Sequence, residues 1–223
     1  MPATTNPPTV AELADALAAA TPDLGDQDRH VVLATYRLLA GGTPVTDEQV
    51  ATAAGAPLVE VARRLREWPG VFRDADEAII GFWGLARDPL DPEYRLQTAG
   101  SSAAVYAWCA WDTLFLPTVL GQTLDVTATD FRAGEPIRLT VAPEGVSRVK
   151  PSDAVVTFLV PDGPFDADVV ASFCHKVLFF ANENNAAEWI AAHPDELFTL
   201  SVDEAFEVGR LVTRANYGDA LAN

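Results

Sequence analysis

The sequence predicts an α+β fold. A helical, winged-helix-like N-terminal domain covers residues 1–84, and a mixed β-sheet core with flanking helices covers 85–223. Two observations carry this. Up to Trp68, apolar residues recur at helical spacing between capping signals, and a hairpin pattern follows. Beyond residue 84, alternating strand-like runs mix with helices without strict alternation, which argues against a doubly wound sheet. With 223 residues the chain can build its core without disulfide staples.

Residues 1–9, rich in Pro and Thr, read as disordered. Val10 to Ala20 reads as a short helix. Asp26 or Asp28 can cap a second helix, whose positions Val31, Val32, Ala34, Leu38 and Leu39 share a face before Gly41 and Gly42 end it. Thr46 and Gln49 have the spacing of a capping box ahead of DEQVATAA. After Gly55-Ala56-Pro57, LVEVARRLREW forms another helix with Val61 and Leu65 inward. Residues 71–84 read as a hairpin turning near Asp74 to Glu77, with Ile79, Ile80 and Phe82 on the return strand.

Residues 86–102 form a connection with a short strand at Tyr94 to Gln97. Ser102 is a candidate cap for a helix from Ala103 to about Leu116. Strands are expected at 123–128, 137–142, 154–160, 177–181 and 197–201. The continuous apolar run AVVTFLV marks the third as central. Short helices are expected at 166–173 and 185–192, and a final amphipathic helix runs from Val202 to about Arg214.

Helices followed by a hairpin is the order of a DNA-binding winged helix, and the second helix of the turn carries Arg63, Arg64 and Arg66. Charge argues against that use. The chain has 15 Lys and Arg against 32 Asp and Glu, a net charge of −17. Phosphate contacts dominate nucleic-acid affinity, and anionic membranes repel the same surface. We therefore expect neither nucleic acid nor membrane as a partner. MPATTNPPTV has no basic region or apolar run of a signal peptide, so a cytoplasmic location is expected.

The chain has two cysteines, Cys109 and Cys174. On a helix, Cys109 and Asp112 would stand three apart on one face. A carboxylate raises a nearby thiol's pKa, yet it can collect the thiol proton when a soft electrophile arrives. Cys174 stands just before an apolar strand, with His175 beside it. Each residue also has a plain structural role open to it: small buried thiols, and an Asp bonded to nearby backbone.

Taken together, the segments YAWCAWDTLFLP (106–117) with Gly121, and FCHKVLFFA (173–181) with Ala186-Ala187-Glu188-Trp189, resemble the bacterial organomercurial lyases, or alkylmercury lyases. SVDEAFEVGR (201–210) resembles that family's C-terminal segment, and the likeness spans most of residues 80–213. The resemblance implies that Cys109, Asp112 and Cys174 are catalytic and hold mercury as substrate and product. It implies protonolysis of a carbon–mercury bond to a hydrocarbon and Hg(II), with no tightly bound cofactor. External low-molecular-weight thiols would release the product, and mercuric reductase would accept it. Trp108, Trp111 and Phe173 are candidate pocket-lining residues. Two departures stand out. Many members carry a further, structural cysteine where Asp130 stands, and a smaller apolar residue is common at the position of Trp111.

The chemistry fits those residue types. Thiolate is the soft ligand that mercury prefers. A second thiolate pushes electron density through mercury onto carbon, and a proton donor must then sit beside that carbon. The sequence alone also admits a mercury- or zinc-binding sensor with a winged helix and no lyase activity. Its zinc set would be Cys109, Asp112, Cys174 and His175, although adjacent Cys174 and His175 are poorly placed to grip one ion.

Overall fold

The computed structural model describes residues 7–99, 103–194 and 196–222. Residues 1–6, part of the expected disordered segment, and Ser102, the expected helix cap, lie outside the described residues.

Helices α1 (Val10–Ala20), α2 (Asp26–Leu39), α3 (Asp47–Ala54) and α4 (Leu58–Glu67) open the chain. The capping box at Thr46 and Gln49 is formed, and Val61 and Leu65 are buried as expected. Gly25, rather than Asp26 or Asp28, occupies the N-cap of α2, which leaves both carboxylates in its first turn, where they favour the helix dipole. The arginines of α4 face carboxylates of their own module. Arg63 pairs with Glu60 and Glu67, Arg64 with Asp28, and Arg66 reaches Asp47 at 4.0 Å.

The hairpin of β1 (Val71–Arg73) and β2 (Ile79–Phe82) continues the chain. It does not stand alone. Through β3 (Leu85–Ala86) it joins an eight-stranded sheet completed by β4 (Tyr94–Thr98), β5 (Val105–Ala107), β6 (Leu124–Thr129), β7 (Pro136–Ala142) and β8 (Gly145–Lys150). The order is β1-β2-β3-β5-β4-β6-β7-β8. A second sheet sets β9 (Val155–Phe158) between β10 (Phe179–Phe180) and β11 (Phe198–Ser201), so the apolar run is central as expected. Every pairing among the described strands is antiparallel. Helices α5 (Asp112–Leu120), α6 (Val169–Ser172), α7 (Glu183–Ala192) and α8 (Val202–Tyr217) flank the sheets. Helix α8 packs on α1 and α5, and one hydrophobic core runs from Leu13 to Tyr217 through both halves of the chain.

A second expectation is corrected. The segment from Ala103 is not a helix: Val105–Ala107 is strand β5, and helix α5 starts only at Asp112. Val105 pairs with Leu96, while Ala107 pairs with both Tyr94 and Leu85. A β-branched and an aromatic residue between two partner strands gain more from cross-strand packing than from a helical turn. Strand β8 was not anticipated, because its polar, exposed residues carry no apolar alternation.

Asp130 fastens the two sheets. It is 1% exposed. Its Oδ1 accepts from the N–H groups of Arg132 and Ala133 at 2.8 and 2.7 Å, and its Oδ2 from Ala181 N–H and Asn185 Nδ2 at 2.6 and 2.8 Å. Burial alone would raise its pKa. The hydrogen bonds from Ala133, Ala181, Asn185 and Arg132 outweigh it and hold the carboxyl below its usual range. Asp130→Ala leaves three backbone donors unpaired and should lower unfolding stability by about 3 kcal/mol, with Asp130→Asn losing less. Denaturant titration of the three proteins checks this; equal midpoints would contradict it.

Candidate active site

Strand β5 ends at Ala107, and residues 108–111 turn the chain into α5. Cys109 lies in that turn and Asp112 is the first residue of α5. The two therefore meet around a turn instead of along a helix face. The Asp112 carboxylate folds back, and its Oδ2 accepts the Cys109 N–H at 2.8 Å. This is an inward version of a helix cap: a short acidic side chain takes a free backbone donor at the helix start.

Cys174 sits in a short 3₁₀ turn, Cys174–Lys176, between α6 and β10. Its turn is closed by Val177 N–H donating to Cys174 O at 3.2 Å, and Thr157 of β9 holds Lys176 O at 2.7 Å. Ala110 N–H donates to Val177 O at 3.0 Å. That single backbone bond stitches the Cys109 turn to the Cys174 turn across 65 positions of sequence. As a result the two sulfurs and an Asp112 carboxylate oxygen lie within 4.8 Å of one another, all buried. His175 is exposed and is not one of the three.

Electrostatics favours the protonated state of the cluster. Burial pushes the Cys109 thiol well above its usual value, and its hydrogen bond to Cys174 and the nearby Asp112 charge push the same way. At Cys174 the hydrogen bond from Cys109 pulls the pKa down, but burial and the Asp112 charge prevail and leave it raised. Burial lifts Asp112 to about 7, against hydrogen bonds from Cys109 and Trp108 that favour its charged form. Both thiols therefore hold their protons in the resting site.

A cavity of about 90 Å³ opens onto this cluster. Trp108, Trp111 and Phe173, the three expected lining residues, all border it, with Trp83, Phe115 and Phe165. Asp112 and Cys174 reach its wall, whereas Cys109, 0% exposed, lies outside the lining. Trp111 sets its ring edge-on to Phe158 and Phe173, at 5.6 and 6.2 Å between centroids. The helical module supplies part of the wall through Tyr36, Gly70 and Trp83. Sequence reasoning missed these residues, since nothing local to them marks a site. Tyr94 was read only as a strand residue. It is buried, and the charges of Cys109, Cys174 and Asp112 act on its hydroxyl.

Residues 90–214 match the family model described as alkylmercury lyase, and residues 9–83 match the helix-turn-helix domain of alkylmercury lyase. The alkylmercury lyase of Bacillus cereus is 38% identical over 188 residues, 84% of this chain and 83% of that protein. That of Pseudomonas putida is 36% identical over 187 residues, 84% of each chain. A crystal structure of the mercury-bound form of MerB2 superposes with a TM-score of 0.70 at 23% identity, covering 92% of this chain and 98% of that one, a likeness of fold. The chain belongs to the alkylmercury lyase family and is an organomercurial lyase.

Proposed function

We propose that Cys109, Asp112 and Cys174 carry out the protonolysis of the carbon–mercury bond. The observation that carries the reading is the closeness of two thiols and one carboxyl group, 4.8 Å or less apart and shut off from water. Cys174 borders the cavity, so the organomercurial meets it first. Its sulfur displaces the ligand opposite carbon, and that ligand leaves with the Cys174 proton. Cys109 then gives its proton to the Asp112 carboxylate and adds its sulfur to mercury. Electron density moves onto carbon, which takes the proton from Asp112. The hydrocarbon leaves, and Hg(II) stays on the two sulfurs. The cavity lining, which includes Cys174 and not Cys109, supports this order.

A carboxyl near 7 suits a group that must accept a proton and return it at neutral pH. Convergence of three groups on one atom pair supplies much of the rate. The apolar wall of Trp108, Trp111 and Phe173 suits small alkyl or aryl groups and keeps water out. No resident cofactor takes part. External thiols exchange Hg(II) off the two sulfurs, and mercuric reductase is its acceptor. Two free cysteines in working order suit a reducing cytoplasm. No helix among the described residues is long and apolar enough to cross a membrane, and a net charge of −17 supports a partner set without nucleic acid.

Cys109→Ser and Cys174→Ser should each abolish benzene release from phenylmercury in the presence of excess thiol. Near-normal turnover by either would remove the two-thiolate mechanism. Asp112→Asn should take up mercury on its thiols without releasing hydrocarbon.

Asp112 also sets a pH dependence of stability. Its pKa is about 7 in the folded chain against 3.8 without burial, so between these values the folded state binds more protons than the unfolded state. The stabilisation from this group is complete below about 3.8 and drains away as pH rises to about 7. Asp112→Asn cannot ionise. It should gain on the wild type by up to roughly 4 kcal/mol across that window, read from denaturant unfolding at each end. Parallel curves for the two proteins would show that Asp112 titrates normally.

A further inference from the structure

The corner between β2 and β3 is Trp83-Gly84, and both residues have positive φ, 38° and 94°. For a tryptophan this backbone is strained, so neighbouring groups must impose it. Four hydrogen bonds do. The Tyr36 hydroxyl donates to Trp83 O at 2.7 Å, and the Trp83 indole N–H donates to Pro69 O at 2.7 Å. Trp83 N–H donates to Gly70 O at 3.1 Å, and Trp108 N–H donates to Gly84 O at 3.0 Å. The Trp83 ring stacks on Phe82 with 4.9 Å between centroids and lies 5.3 Å from Trp68. Tyr36 is itself fixed edge-on to Phe82.

What this corner presses on is the Asp112 carboxyl group. A Cβ at Gly84 would stand 2.5 Å from Asp112 Oδ1 and 2.6 Å from its Cγ. Only a glycine fits there. The carboxyl is thus held on two sides, by the Cys109 N–H at Oδ2 and by the Gly84 backbone at Oδ1.

We propose that the Trp83-Gly84 corner, pinned by the Tyr36 hydroxyl of the helical module, is a positioning device that aims the Asp112 carboxyl at the carbon of the bound organomercurial. The proposal rests on the reading of Asp112 as proton donor. Proton transfer needs the donor within hydrogen-bond reach of the carbon, and a misplacement of about 1 Å costs on the order of 100-fold in rate. Tyr36 touches no reacting atom; it acts through Trp83 and Gly84. The helix-turn-helix order of residues 9–83 is then put to use inside the enzyme, as a brace for the proton donor.

The test separates capture from cleavage in a single turnover of the full chain with phenylmercury. Capture is read as loss of titratable thiols, and cleavage as benzene release. Gly84→Ala should capture normally and release benzene on the order of 100-fold more slowly. Tyr36→Phe keeps the ring and removes only the hydroxyl; it should capture normally and release benzene about tenfold more slowly. A merely structural role would lower capture and cleavage together, in proportion to the folded fraction seen by circular dichroism. Wild-type release from the folded variants overturns the proposal, and Tyr36→Phe decides alone if Gly84→Ala does not fold. Asp112→Asn keeps the two claims apart. If it is silent while both corner variants cleave normally, the proton-donor reading stands and the brace does not. If it releases benzene freely, the proton-donor reading fails and the brace falls with it.

Discussion

A carboxyl group kept out of water beside two thiols is the constraint on which the rest of the structure turns. Each of the three groups pays a desolvation penalty for its charged form, and the Asp112 charge further disfavours both thiolates. Left to itself the cluster therefore holds its protons. A soft metal changes that balance, because a mercury–sulfur bond replaces the hydration that a buried thiolate has lost. On the proposed reading, burial is what makes the site reactive toward one class of electrophile and quiet otherwise.

Such a cluster cannot be held by one element. Cys109 comes from a turn at the end of a central strand, Asp112 from the first residue of a helix, and Cys174 from a 3₁₀ turn ahead of the second sheet. The Ala110-to-Val177 backbone bond joins the two turns, and Asp130 ties the β6–β7 turn to Ala181, just beyond β10. The helical module closes the remaining side. It shares a sheet and a core with the rest of the chain, so its arginines are free to serve packing and internal ion pairs.

Much of this was legible in the residues. The capping box of Thr46 and Gln49 and the inward pair Val61 and Leu65 follow local rules, and the central position of β9 follows from its unbroken apolar run. Cys109, Asp112 and Cys174 stood out through the resemblance of their segments to the family, since spacing alone left each a plain structural role, and the fold brings the three together. What failed was the local reading of 103–111. An apolar stretch ending in Cys-x-x-Asp has helical spacing, and only the pairing of Val105 and Ala107 with strands on both sides makes it β. Gly84 was invisible for a different reason. A glycine after Trp83 signals a corner, but no local rule says that the corner faces a carboxylate 28 positions away.

The two thiols are unequal, and the inequality gives the proposed cycle a direction. Cys174 borders the cavity, while Cys109, 0% exposed, lies outside its lining. In that cycle, arrival at the outer sulfur places mercury next to the inner one, whose proton passes to the Asp112 carboxyl group within 4.8 Å. That proton then has one destination once carbon becomes basic. Were the two sulfurs equally exposed, the organomercurial could be caught by either. The proton of the second thiol could then be lost to water before the carbon needed it. Hiding Cys109 behind Cys174 prevents this, because the last proton in the site is kept for the bond that must break.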